Sequence, residues 1–141
     1  MRVVLDANQF VSAVLVPVGH PAQILAAWRR GELDLLVSPP ILAEIRRVLL
    51  YPRLQRRHGW DKAQVDIFLE GLLAAAILTP GDTDIQDVHN DPTDNKYLAC
   101  ALEEHAEYII TGDQHLLQLD PWRGICIVPP SIFLGTVLKQ S

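Results

Sequence analysis

The sequence predicts an α/β domain: a parallel sheet of about five strands between two layers of helices. Three observations carry this reading. Short continuous apolar runs recur along the 141 residues, stretches with helical apolar spacing lie between them, and Gly, Pro or polar residues close the runs. Uninterrupted apolar runs suit strands buried on both faces. Strands alternating with helices pair in parallel through right-handed crossovers.

The strands are read from Val3-Val4-Leu5, Leu35-Leu36-Val37 (closed by Ser38-Pro39-Pro40), a weaker Ala76-Ile77-Leu78-Thr79, Tyr108-Ile109-Ile110-Thr111 (closed by Gly112, which permits a tight exit) and Ile125-Cys126-Ile127-Val128. Helices are expected over 22–30, where Ile24, Leu25, Ala27 and Trp28 cluster, and over 41–50, where Ile41, Leu42, Ile45, Val48 and Leu49 share a stripe. Two more are expected over 62–75, through Val65, Phe68, Leu69, Leu72 and Leu73, and over 92–106, through Leu98, Ala101 and Leu102. Residues 80–91 hold four acids and few apolar side chains and read as an irregular loop.

With no repeat or linker, the chain is expected to form one domain over residues 1–141. Apolar residues make up 49% and charged residues 21%, a composition that excludes disordered and fibrous classes. No apolar stretch approaches the roughly 18 residues of a membrane span, and the charged start does not resemble a secretory signal, so no membrane association and a cytoplasmic location are expected. Cys100 and Cys126 lie in apolar runs and read as reduced, packed thiols. The net charge of −5 argues against indiscriminate nucleic-acid binding, unless the acids gather where a cation offsets them.

Their positions favour gathering. Ligand sites in such sheets lie beyond the carboxyl ends of strands. Asp6 closes the first strand, with Asn8 two residues on and on the same side if the chain stays extended; Asp6 would equally serve as a turn or N-cap residue. Glu44, about 40° from Val48 and 60° from Ile41 around its helix, lies on the border of the apolar stripe, where surface glutamates are common. Asp94 begins the stripe that continues through Leu98 and Ala101, although Asp91, Pro92 and Asp94 also fit the N-cap, N1 and N3 positions of a helix. Asp113 follows Thr111-Gly112 and could cap the turn starting at Gln114. Carboxylates crowded at one edge repel, and a hard divalent cation such as Mg²⁺ relieves the repulsion. Acidic clusters of this kind serve phosphodiester cleavage. No Ser-His-Asp order, Gly-rich phosphate loop or nucleophilic Cys competes, and the five histidines show no ligand spacing.

Four segments together resemble the PIN-domain family, and most closely the VapC-like toxin component of bacterial toxin–antitoxin pairs: Val3-Val4-Leu5-Asp6-Ala7-Asn8, the run from Ser38 to Ile45, the run from Asp91 to Ala101, and the run from Ala106 to Asp113. The likeness extends from residue 2 to about 133. It implies a three-layer α/β/α sandwich and a Mg²⁺- or Mn²⁺-dependent endoribonuclease. The acidic quartet carries over onto Asp6, Glu44, Asp94 and Asp113 as catalytic metal ligands, with Asn8, Thr111 and Asp91 in support. Ala7 stands where Thr is usual. His115 stands where a second acid is common, which would leave Asp113 as the last ligand and a second ion weakly held. The likeness further implies an RNA substrate, a homodimer and a cognate antitoxin protein. Arg46, Arg47, Arg53, Arg56 and Arg57, with Arg29 and Arg30, could flank the groove and hold RNA phosphates, or form a solvated helix face. Trp60 could stack on a base or simply pack. Two other readings are a PIN-like fold that only binds RNA or a partner, and an aspartate-based phosphatase using Asp6, which would want an acid where Asn8 stands.

Overall fold

The computed structural model describes residues 1–89 and 91–138. Five parallel strands, β1 (Arg2–Leu5), β2 (Asp34–Val37), β3 (Ile77–Leu78), β4 (Tyr108–Ile110) and β5 (Cys126–Val128), form one sheet in the order β3-β2-β1-β4-β5. Val4 pairs with Leu36 on one side and Ile109 on the other, and Ile110 pairs with Val128. Val3, Val4, Leu5, Leu36, Val37, Ile109 and Ile110 are all buried, as their uninterrupted apolar runs require.

The first crossover holds α1 (Ala7–Leu15) and α2 (His20–Arg29), and the second holds α3 (Pro39–Leu49), α4 (Pro52–His58) and α5 (Lys62–Ala75). A 3-10 turn (Pro92–Asp94) and α6 (Asn95–Glu103) connect β3 to β4, α7 (Gln114–Leu117) follows β4, and α8 (Pro130–Ile132) follows β5. The first two crossovers run in one direction across the sheet and the last two in the other. Right-handed connections therefore cover opposite faces, with α1–α5 on one side and α6 and α7 on the other. This is the three-layer sandwich that the sequence predicts, and α6 crosses the sheet centre against β1, β2 and β4.

The differences from the sequence reading have local causes. Helix α3 starts two residues early because Pro39 and Pro40 are accommodated in its first turn. The helix expected over 92–106 divides into the 3-10 turn and α6. In α5, Val65 and Leu72 are buried but Leu73 is 49% exposed. Helices α1 and α4, like the short α7 and α8, lie outside the predicted segments. The first begins at the Asp6 cap and buries Phe10 and Val11; the second opens at Pro52 and closes on left-handed Gly59. Gly112 has no positive φ and open space where a Cβ would sit, so the exit from β4 does not require glycine. Both cysteines are free, and burial pushes the Cys100 thiol up to about 12. Among the described residues no single helix is long and apolar enough to cross a membrane.

Candidate metal centre

Strand β1 lies between β2 and β4, and the connections leaving β1 and β4 turn opposite ways, opening a crevice at their carboxyl ends. Asp6 and Thr111 meet there because Leu5 is in register with Ile110. Asp6 caps α1, its Oδ1 accepting the Gln9 N–H at 3.1 Å, and its Oδ2 accepts a short hydrogen bond from the Thr111 hydroxyl. The same hydroxyl oxygen accepts the Asp113 N–H at 3.0 Å, so one fully buried side chain fixes both acid-bearing strand ends. Burial raises the Asp6 pKa, the Thr111 bond opposes the rise, and the Asp113 charge adds to it. With both oxygens engaged and 4% exposure, the Asp6 carboxylate is poorly placed for the attack that a phosphatase mechanism demands.

The second wall comes from the segment leading into α6. Asp91 caps the 3-10 turn by accepting the Thr93 N–H at 3.3 Å, and Pro92 presets the turn. Asn95 secures the preceding loop through Val88, accepting its N–H at 2.8 Å and donating to its carbonyl at 3.2 Å. The turn thereby drives Asp94 inward, where it is 8% exposed. One ligand atom from each of Asp91, Asp94, Asp113 and His115 lies within 4.8 Å of all the others. An ion with ligands at about 2.0–2.6 Å spaces its donor atoms roughly 3–5 Å apart, so the group fits one divalent cation. Two further observations favour a cation. Asp94 Oδ2 is buried without a hydrogen-bond partner. Burial, then the hydrogen bond and charge of Asp113, then the charge of Asp91, push the Asp94 pKa up to about 7, against the nearby Lys96. A positive ion would reverse each of the raising influences.

Several placements differ from the sequence expectation: Asp6, expected as a ligand, lies outside this four-residue group, and Asp91, expected in support, lies within it. Glu44 stands outside the four-ligand group: its Oε1 accepts from Arg47 at 3.1 Å, while its Oε2 pairs with Lys96 at 3.2 Å and accepts a short hydrogen bond from the Tyr97 hydroxyl. Its charge is compensated by these two cations. Asn8 does not share a side with Asp6 in extended geometry, because the chain turns into α1 at Asp6 and leaves Asn8 exposed on the helix. His115 stands within the group beside Asp113. Among the arginines, Arg46 is paired with Asp66 of α5 at 2.9 Å and Arg47 with Glu44, whereas Arg53, Arg56 and Arg57 are exposed on α4 with no ion pair among the described residues. Trp60 packs between Phe68 and His58, with ring centroids 5.5 and 5.7 Å away.

Tyr97 and Lys96 escaped the sequence reading. The Tyr97 hydroxyl accepts the Ala7 N–H at 3.0 Å and donates to Glu44, tying α1, α3 and α6 together beneath the crevice. Burial and the Glu44 carboxylate push its pKa up, keeping the phenol a neutral donor. A Tyr on a buried stripe needs a hydroxyl partner, and that requirement was the available signal.

Thr111→Val would keep the shape of the side chain but strand Asp6 Oδ2 and the Asp113 N–H. A stability loss of about 2 kcal/mol in urea unfolding is expected. Divalent-ion affinity should fall about tenfold or more by calorimetry, as for other outer-shell partners. Parent-like affinity would show that Thr111 does not organise the crevice.

A family model for the PIN domain matches residues 2–115. An uncharacterized protein of the archaeon Methanocaldococcus jannaschii is 34% identical over 119 residues, which cover 84% of this chain and 75% of that protein. Among solved structures, a chain in the crystal structure of VapBC2 from Rickettsia felis, bound to a DNA fragment from its promoter, superposes with a TM-score of 0.59 at 14% identity, covering 90% of this chain and 97% of that one.

Proposed function

The chain belongs to the PIN domain family, and from that premise we propose that it is a Mg²⁺- or Mn²⁺-dependent endoribonuclease, the toxin of a type II toxin–antitoxin pair acting in the cytoplasm. The observation that carries the reading is the buried Asp94 carboxylate, which has an orphaned oxygen and lies in one close-set group with Asp91 and Asp113. Asp94 and Asp113 hold the ion, and Asp6 lines the crevice beside them. A bound divalent ion supplies charge neutralisation for the scissile phosphate and lowers the pKa of water. Thr111 keeps Asp6 and the Asp113 backbone in place. Glu44 holds Lys96 and Arg47 at the rim, where their charges face an incoming phosphate. Arg53, Arg56 and Arg57 extend that positive edge for the RNA backbone. The VapBC2 likeness supports an antitoxin partner that covers the crevice, and a homodimer of this chain is part of the same proposal.

Incubating the purified protein with single-stranded RNA should give cleavage and 5′-phosphate ends with Mg²⁺ or Mn²⁺, and none with a chelator. Cleavage undiminished by the chelator would overturn the metal mechanism. RNA retention without cleavage under any ion would favour a binding module instead.

A further inference from the structure

We propose that His115 is a direct metal ligand, which makes this centre a mixed oxygen and nitrogen site selective for Mn²⁺ and related first-row ions over Mg²⁺. The inference deepens the metal-dependent reading above and rests on it. A ring nitrogen of His115 belongs to the same close-set group of donor atoms as Asp91, Asp94 and Asp113. The positioning is local and rigid. Asp113 caps α7 by accepting the His115 N–H at 2.7 Å, which fixes the His115 backbone directly over the carboxylate. The imidazole Nδ1 then lies 3.7 Å from Asp113 Oδ1, within the spacing of two donors on one ion. The side chain is 42% exposed and has no partner among the described residues besides Asp113, so it can turn toward an ion without breaking packing. The unpartnered oxygen of Asp94, a residue 92% buried within this group, favours a cation there.

The donor set decides the preference. Mg²⁺ favours oxygen donors and keeps much of its water, whereas imidazole nitrogen binds first-row transition ions better. Exchanging one oxygen donor for His115 therefore weakens Mg²⁺ relative to Mn²⁺. Mn²⁺ is expected to bind more tightly than Mg²⁺.

The test is pulsed electron paramagnetic resonance of the full-length protein loaded with Mn²⁺ alone, with binding of Mn²⁺ and Mg²⁺ measured in parallel by calorimetry. Nitrogen modulation from a directly bound imidazole is expected in the parent. His115→Asp gives an all-oxygen donor set; it should still bind Mn²⁺, lose the nitrogen modulation and lower the Mn²⁺/Mg²⁺ affinity ratio. Mn²⁺ bound by the parent without nitrogen modulation would overturn the His115 assignment and leave the metal centre standing. Modulation that persists in His115→Asp would likewise overturn it, by assigning the nitrogen to another histidine. Failure of the parent to bind Mn²⁺ at all would overturn the metal-centre reading together with this one.

Discussion

Asp94→Asn is expected to reduce ion-dependent RNA cleavage by about a hundredfold or more, since loss of even an outer-shell partner costs about 10–100-fold in metal affinity or activity. The same substitution should stabilise the metal-free protein. The folded chain holds a proton on Asp94 up to about pH 7, whereas the unfolded chain releases it near 4. The native state therefore binds more protons across that window, and the metal-free parent loses stability as pH rises through it. Asparagine has the same shape and no charge to bury. At pH 8 it should raise stability by about 2 kcal/mol, or about 5–8 °C in Tm. Below pH 4 the gap should close, because Asp94 is then protonated in both states. Saturating divalent ion should reverse the order, since only the parent gains binding free energy in its folded state. Thermal melts at pH 4 and pH 8, with and without Mn²⁺, measure all three. A variant that melts below the parent at pH 8 without metal would show that the buried carboxylate is not repelled by its neighbours.

Gly81→Ala, in the loop between β3 and the metal-facing turn, is expected to be strongly destabilising. Gly81 has a φ of +72°, and an added Cβ would lie 2.8 Å from Pro40 Cδ and 2.9 Å from Ser38 Cβ. Left-handed strain and overpacking together give a loss of about 2–4 kcal/mol. The tight approach follows from the clamp on this loop: the Glu103 carboxylate accepts the backbone N–H groups of Gly81 at 2.7 Å, Asp82 at 3.1 Å and Thr83 at 3.0 Å, and the Thr83 hydroxyl at 2.7 Å. Burial raises the Glu103 pKa, but the hydrogen bonds from Thr83 and Gly81 outweigh it and hold the carboxyl below its usual range. Because the clamped segment leads to Asp91 and Asp94, the substitution should also weaken ion binding. Gly112→Ala, with ordinary φ and open space, is the matched control and should change stability by less than about 0.5 kcal/mol. Urea unfolding of the two variants checks the pair; equal midpoints would show that the loop yields to accommodate the methyl group.

Much of the crevice was legible from the chain. Asp6, Asp94 and Asp113 each stand next to an apolar run or within an apolar stripe, and an acid in such a place must find a neutralising partner. Glu44 showed the same border position, yet its partners decided differently. Lys96 and Tyr97 arrive from a helix about fifty residues away, and nothing around Glu44 announces them. Asn8 was misplaced because Asp6 could equally end a strand or start a helix, and the cap geometry chose the helix. His115 stands two residues after Asp113, but its closeness to Asp91 and Asp94, distant in sequence, follows from no spacing rule.

By itself the sequence determined which segments are buried strands, that they pair in parallel, and which acids border the core, because burial is driven by apolar area that each segment carries locally. The tertiary structure alone decided the order β3-β2-β1-β4-β5, the pairing of Glu44 with Lys96 and Arg47, and the meeting of Asp91, Asp94, Asp113 and His115. Pairing and coordination depend on distances of a few ångströms between remote residues, and those distances are fixed only when the whole sheet and its covering helices pack.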